Sequence, residues 1–388
     1  MAVAKSDLAV AATRGERFAS DYGDVQTVDS PIGTFVSLYA GAGGMDLGFA
    51  LAGFAPVWVN ELDQYAAETH EQAFADLAGV RPHLNGHEFV LRRGSLLEVP
   101  RSDLPRRGAA DLVIGGPPCQ GFSVAGKMDP NDERSEHVHH FFDVVKRIQP
   151  RAFVMENVKA LGVSDRWASL RAELLAEADR LGYATRLEIC DASHYGVPQA
   201  RERMLLIGVR GYDEPSVPVK TTATRRPTVR DALSRLPPLG ASGNDQQCAA
   251  IITSAIKPVM RRSPYAGMLL NGSGRPMNLD APAPTLPASM GGNRTPIVDQ
   301  MALDRDETHW IVSYHRRLQS GRGRVDKVPS RMRRLTVEEA AALQTFPQGM
   351  QWLGPRSAQF RQIGNAVPPR LALAAARSVA LDLGLTPA

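Results

Sequence analysis

Thr34-Phe35-Val36-Ser37-Leu38-Tyr39-Ala40-Gly41-Ala42-Gly43-Gly44 opens as an apolar, β-prone run, closes on a glycine turn, and leads into Met45 to Leu51, which reads as a helix. A strand turning through glycines into a helix is the unit from which parallel α/β sheets are built. Glycines at such a turn let a ligand approach the backbone, and the helix N-terminus favours an anion. The same turn is also a common packing feature, so a second signal is needed. Glu61 supplies it, 20 residues after Gly41 at the end of the next predicted strand, where a carboxylate accepts bonds from ribose hydroxyls. The pattern is neither GxGxxG nor GxxxxGK[ST], so neither NAD nor ATP is expected. An S-adenosylmethionine site asks only for room near Gly41, Gly43 and Gly44, an acid for the ribose, and apolar faces for adenine, which Tyr39 and Leu62 are placed to supply.

Working outward, short β-prone runs alternate with amphipathic stretches up to about residue 213. The predicted strands are Thr34 to Tyr39, Val57 to Asn60, Glu88 to Leu91, Asp111 to Ile114, Ala152 to Glu156, Thr185 to Ile189 and Met204 to Val209. The predicted helices are Met45 to Leu51, Gln64 to Leu77, His137 to Ile148 and Trp167 to Leu181, the last with a core stripe of Leu170, Leu174, Leu175, Ala178 and Leu181. This is a large α/β domain with a mostly parallel sheet. Beyond it the chain turns rich in Pro and Gly, as in Gly272-Ser273-Gly274-Arg275-Pro276, which predicts a smaller irregular or β-rich domain. Helical order returns at Thr336 and Glu339, spaced as a capping box, and in a final helix from about Arg370 to Leu383. The expected organisation is an N-terminal extension over 1–30, the α/β domain over 31–213, an insert over 214–330, and a segment over 331–388 returning to the α/β domain.

Composition bounds the answer. With 43% apolar and 22% charged residues, the 388-residue chain is an ordinary globular protein. Its three cysteines, Cys119, Cys190 and Cys248, lie far apart without CxxC spacing, which argues against a disulfide framework or a zinc site and suits a reducing cytoplasm. No apolar run reaches the roughly 18 residues of a membrane span. The net charge of +4 conceals an asymmetry: from Glu214 to Ser330 there are 16 Lys+Arg against 9 Asp+Glu, so the insert carries +7 and the remainder −3. A concentrated positive segment is either a solvated face or the footprint of a polyanion.

Gly115-Gly116-Pro117-Pro118-Cys119-Gln120-Gly121-Phe122-Ser123 follows the predicted strand Asp111 to Ile114. Two successive prolines fix the backbone ahead of Cys119, so its thiol is aimed; taken alone, though, a free cysteine is most often a small buried hydrophobe. The wider context decides. Together with the glycine turn, Glu156-Asn157-Val158, Gln199-Ala200-Arg201-Glu202-Arg203, Arg334-Leu335-Thr336 leading to Leu343-Gln344-Thr345-Phe346-Pro347, and Gln362-Ile363-Gly364-Asn365-Ala366-Val367-Pro368-Pro369 fall in order. Over about residues 34 to 375 the chain closely resembles the C5-cytosine DNA methyltransferases of bacterial restriction and modification systems.

The resemblance implies a Rossmann-like methyltransferase domain that binds S-adenosylmethionine, and Cys119 as the nucleophile that adds to cytosine C6 and makes C5 able to take up a methyl group. It implies Glu156 as the acid at cytosine N3, Arg201 as the contact to the carbonyl oxygen, and Arg203 as support for the loop or a phosphate contact. Cofactor contacts then fall to Tyr39, Gly41, Gly43, Gly44, Glu61, Leu62, Ser95, Pro118 and Asn365. No metal is expected. The thiol must reach the face of the ring, so the cytosine has to be flipped out of duplex DNA. The basic insert becomes a target-recognition domain, with Ala283-Pro284-Thr285-Leu286 resembling a motif found there. Arg316, Arg317, Arg322 and Arg324 would hold phosphates, and Gln120 and Ser123 are further expected DNA contacts. The run from His315 to Arg334 adds Lys327, Arg331, Arg333 and Arg334 against one acid, Asp326.

Two departures stand out: the family usually carries Asp where this chain has Ser37 and Ser95, which puts individual cofactor contacts in question. A tRNA cytosine-5 methyltransferase shares Pro-Pro-Cys but tends to have a short recognition region and a Cys-Phe-Thr element, and neither feature is found. A DNA-binding protein without catalysis would not need Cys119, Glu156 and Arg201 together. The expected protein is a cytoplasmic, monomeric prokaryotic enzyme, at the nucleoid through DNA and paired with a restriction endonuclease of the same specificity.

Overall fold

A computed structural model of the protein describes residues 21–118, 136–221, 225–305 and 307–385. Its elements begin β1 (Gly33–Leu38), α1 (Gly44–Leu51), β2 (Phe54–Glu61), α2 (Gln64–Ala78), β3 (Val90–Arg93), β4 (Leu112–Gly115), α3 (Glu136–Ile148) and β5 (Ala152–Val158). They continue α4 (Lys159–Val163), α5 (Ala168–Arg180), β6 (Tyr183–Asp191), β7 (Gln199–Ala200) and β8 (Glu202–Arg210). After these come α6 (Val229–Leu233), β9 (Ser254–Val259), β10 (Met268–Leu270), β11 (Ala283–Pro284), β12 (Ile297–Asp299), α7 (Gln300–Arg305) and α8 (Trp310–Gln319). The chain closes with β13 (Met332–Arg334), α9 (Val337–Leu343), α10 (Arg356–Asn365) and α11 (Pro369–Asp382).

The chain divides into two units, one drawn from Met1–Tyr195, Arg201–Thr221 and Ala366–Ala388, the other from Gly196–Ala200 and Thr222–Asn365. In the first, seven strands form one sheet in the order β3-β2-β1-β4-β5-β8-β6. All run parallel except β8, which lies antiparallel between β5 and β6. Each predicted strand up to residue 213 is a strand of this sheet. Central strands covered on both faces must be apolar throughout, and β4 has all four residues buried. Helix α3 shows why it packs one way: Val138, Phe141, Phe142, Val145 and Ile148 are buried at helical spacing, and Phe141 and Phe142 meet Phe153 of β5 edge-on. The stripe expected on α5 is buried at Leu174 and Ala178, with Leu170, Leu175 and Leu181 partly covered.

Of the expected N-terminal extension, Tyr22 and Val25 bury against Leu51 and Leu373. Arg370 at the start of α11 pairs with Asp24 at 2.9 Å, so this stretch is fastened to the unit's last helix.

The second unit has little regular structure and a small core of Leu269, Leu270, Ile297, Ile311, Tyr314 and Met332. Its compact part runs on to Asn365, past the boundary expected at 330. The cause is electrostatic as well as apolar. The capping box of Thr336 and Glu339 forms, and Arg333 grips the same Glu339 carboxylate with both terminal nitrogens, at 2.7 and 2.5 Å. Arg334 is buried and donates to the Thr295 and Ala250 carbonyls at 2.6 and 3.1 Å, while Arg331 bonds Asp299 at 2.5 Å. Three cations of the basic run therefore hold the fold together and are withdrawn from any ligand. Arg316, Arg317, Arg322, Arg324 and Lys327 remain exposed.

Candidate active site

The glycine turn lies where β1 ends at the carboxyl edge of the sheet. Tyr39 adopts φ 57, a left-handed conformation uncommon for a side chain of this size, and Gly41 and Gly43 follow at φ 58 and 85. A Cβ on Gly43 would come within 2.8 Å of the His70 ring, so glycine is required there for space as well as conformation. Beyond Gly41 the space where a Cβ would stand is open. The Gly41 N–H donates to Glu61 Oε2 at 2.7 Å and the Asp63 N–H to Oε1 at 2.7 Å, fixing the carboxylate at the end of β2. Burial raises the Glu61 pKa, the two backbone donors opposing it.

Beside Glu61, Leu62 is 70% exposed, an apolar face without cover. Asn60 donates to the carbonyls of Arg92 and Gly94, both at 3.0 Å, which draws the turn after β3, and with it Ser95, to the same edge. Ser95 caps its own short turn by accepting from the Leu97 N–H at 3.3 Å. Tyr39 is braced by His137, 3.1 Å from the hydroxyl.

The sequence reading missed what lies beneath the turn. Ser37 donates to Asp46 Oδ1 at 2.7 Å, and His70 Nε2 stands 2.8 Å from Asp46 Oδ2, all three being buried. The Ser37 hydroxyl is thus held by a carboxylate in the first turn of α1. A nine-residue separation across a strand, a turn and a helix gives no periodic signal, so only the fold reveals the pair.

The second cluster sits at the ends of β4, β5 and β8. Glu156 is buried with its Oε1 2.7 Å from Arg203 Nε. Burial raises its pKa, and the charges of Arg203 and Arg201 hold the rise back. Burial prevails, so the carboxyl keeps its proton to higher pH than an ordinary glutamic acid. Gly116 passes so near that a Cβ there would be 2.9 Å from Glu156 Oε2. Asn157 donates to the Pro117 carbonyl at 3.2 Å, tethering the Pro-Pro loop to β5. Arg201 is buried. Cys119, Gln120 and Ser123 lie outside the described residues.

The first unit therefore gathers Tyr39, Gly41, Gly43, Gly44, Glu61, Leu62, Ser95 and Pro118 on its loops together with Glu156, Arg201 and Arg203. Asn365, exposed at the end of α10, and the four candidate phosphate-binding arginines belong to the second. The Gln199 to Arg203 block is divided between them: β7 pairs in parallel with β11, and the Gln199 side chain accepts from the Leu286 N–H at 3.1 Å, tying it to the Ala283 to Leu286 motif.

An α/β sheet with a glycine turn, a ribose-type acid and an uncovered apolar face at its carboxyl edge defines a nucleoside-cofactor enzyme, and these residues fit S-adenosylmethionine. The chain belongs to the C-5 cytosine-specific DNA methylase family, whose model it matches over residues 33–380. It is 33% identical over 355 residues to the Type II methyltransferase M1.HphI of Haemophilus parahaemolyticus, covering 89% of this chain and 86% of that one. It is also 33% identical over 374 residues to M.XorII of Xanthomonas oryzae, covering 89% and 83%. The fold is shared with Entamoeba histolytica EhMeth, at TM-score 0.62 and 12% identity over 92% of this chain and 99% of that one. S. pombe Dnmt2 follows at 0.58 and 16%, over 90% and 98%. The protein is a Type II DNA cytosine-5 methyltransferase, a transferase using S-adenosylmethionine, and the tRNA alternative is set aside. Among the described residues no helix is long and apolar enough to cross a membrane.

Proposed function

We propose that Cys119 is the nucleophile, Glu156 the proton donor and Arg201 the carbonyl contact for methylation at cytosine C5, with the second unit as target-recognition domain. The observation carrying this reading is the buried Glu156 carboxyl, pinned by Arg203 and so near Gly116 that a Cβ there would stand 2.9 Å from it. The Cys119 thiolate forms a bond to C6, the C5–C6 electron pair shifts toward C5 and the ring, and Glu156 delivers its proton to N3. Bound S-adenosylmethionine supplies the methyl group. A base then takes the C5 proton, the C5–C6 double bond re-forms as the thiolate leaves C6, and N3 returns its proton to Glu156.

Arg203 acts on Glu156: its Nε lies 2.7 Å from that carboxylate, while its Nη1 donates to the Glu202 carbonyl at 2.8 Å. The other cysteines do not compete: Cys190 and Cys248 are buried, and burial pushes the Cys190 thiol up to about 11. Tyr39, the glycine turn, Glu61, Leu62, Ser95 and Pro118 hold the cofactor. Arg316, Arg317, Arg322 and Arg324 take phosphates, and Gln120 and Ser123 are the further DNA contacts. The enzyme works as a monomer in a prokaryotic cytoplasm, on nucleoid DNA, protecting it from an endonuclease of the same specificity.

Transfer of labelled methyl from S-adenosylmethionine to duplex DNA tests the assignment. Cys119→Ser is expected to abolish transfer and leave DNA binding; turnover by that variant would remove Cys119 from its role.

A further inference from the structure

We infer that a cationic cavity beside the cofactor turns binds a nucleoside polyphosphate, and that its occupant changes the affinity for S-adenosylmethionine. The coupling, though not the binding, rests on the reading of Tyr39 and Ser95 as cofactor contacts. The cavity holds about 830 Å³ and lies within the first unit, between the segment after β3 and helix α3. Sites for small molecules are concave, span roughly 300–1,000 Å³, and set a few polar groups on apolar walls. Leu96, Leu97, Val99, Leu104 and Val144 form the apolar walls here, and Leu97 is 46% exposed.

Charge identifies what enters. Arg101, Arg106, Arg107, Lys146 and Arg147 line the cavity against a single acid, Asp143, which faces His140 at 3.4 Å. Arg147 is committed to the wall, donating to the Pro105 and Leu104 carbonyls at 3.0 and 3.2 Å. The other four are exposed, and among the described residues none of them meets a carboxylate. Outside the 214–330 insert the chain is net negative, so a cluster of this sign is not the ordinary surface of the unit. Lys146 suits the C-terminus of α3, but Arg101, Arg106 and Arg107 stand on irregular chain that has no such use for them. Gln149 lines the cavity at φ 51, where glycine is the default after a helix, so a side chain is kept there against backbone preference. DNA phosphates would answer the cations and leave the apolar recess empty. A nucleoside carrying several phosphates answers both, its ring and sugar on the leucines and its charges on the arginines.

Two connections lead from the cavity to the cofactor turns. Leu96 and Leu97 follow Ser95 directly, and the Leu97 N–H donates to Ser95 Oγ at 3.3 Å. On α3 the His140 ring stands edge-on to that of His137, 6.5 Å between centroids, and His137 Nδ1 is 3.1 Å from the Tyr39 hydroxyl. A ligand that shifts Leu97 or His140 shifts a neighbour of the cofactor, and linkage makes the effect reciprocal.

The test titrates ATP and GTP, by calorimetry, into the full chain saturated with S-adenosylhomocysteine, which keeps nucleotide out of the cofactor site. At least one is expected to bind, more tightly than inorganic triphosphate, and to lose roughly tenfold or more in Arg106→Ser/Arg107→Ser, the worth of a charge-assisted hydrogen bond. Both substitutions lie on the surface, and an unchanged melting temperature verifies the fold. Affinity for S-adenosylhomocysteine is expected to change about fivefold or more when GTP or ATP fills the cavity. Binding of neither nucleotide, equal binding of inorganic triphosphate, or full affinity in the double variant would overturn the inference. So would displacement of the nucleotide by a cytosine-free duplex that the double variant no longer binds, which would give the cavity to DNA. Equal S-adenosylhomocysteine affinity with and without nucleotide would strike the coupling. Undiminished S-adenosylhomocysteine affinity in both Ser95→Ala and Tyr39→Ala would remove the cofactor reading instead, and leave the nucleotide site standing.

Discussion

Glu156 Oε1 lies 2.7 Å from Arg203 Nε because β5 and β8 pair antiparallel with Val158 opposite Arg203 and Glu156 opposite Leu205. The two residues are diagonal neighbours on one face of the sheet, a separation that long side chains bridge. The acid is thus fixed by strand register, and a one-residue slip would put the two side chains on opposite faces.

Arg203→Met is expected to raise the Glu156 pKa further, since a positive charge that lowers it is removed. With Glu156 as the proposed proton donor, the protonated acid is the active form, so activity is expected to fall as pH rises through that pKa. In the variant this descending limb moves to higher pH. A pH profile of single-turnover methylation checks the direction, and a shift to lower pH would contradict it.

Glu156→Gln keeps the shape but has no proton to give. Single-turnover methylation is expected to fall by about 100-fold or more, the usual worth of general acid catalysis, and the Glu156 limb should vanish from the pH profile. Affinity for duplex DNA should change little by comparison.

Asp46→Ala leaves the buried Ser37 hydroxyl and His70 ring without their shared acceptor. The cost is expected to be about 2–6 kcal/mol, from two buried groups each left without that partner. The turn above is supported by the same pair, so calorimetry should show weaker binding of S-adenosylhomocysteine. Asp46→Asn should recover part of both losses.

The cations of the basic run should separate into two classes. Arg316→Ala, Arg322→Ala and Arg324→Ala are each expected to lower the slope of log affinity against log salt by roughly 1, with melting unchanged. Glu339→Ala strands Arg333, a buried cation, and is expected to cost about 3–5 kcal/mol. Urea unfolding and salt titration of the same variants distinguish them.

Much of this was legible without coordinates. Apolar runs such as Leu112 to Gly115 and the spacing of Val138, Phe141, Phe142, Val145 and Ile148 declare strand and helix, because backbone geometry imposes periods of about 2 and 3.6 residues on whatever must be buried. The capping box at Thr336 and Glu339 is equally local. Charge counting was less dependable. A basic run records how many cations there are, but Arg331, Arg333 and Arg334 turn inward to acids and carbonyls distant in sequence or in the following helix.

The sequence by itself determined the reaction class, since the ordered motifs from the glycine turn to Asn365 name a chemistry. It also determined the order of strands and helices, which depends on neighbours a few residues apart. Tertiary structure alone decided that the Ser37 hydroxyl meets the Asp46 carboxylate, that Arg203 reaches Glu156, and which arginines of the basic run stay exposed. Each of those outcomes depends on atoms brought within 3 Å by chain segments with no periodic relation to one another.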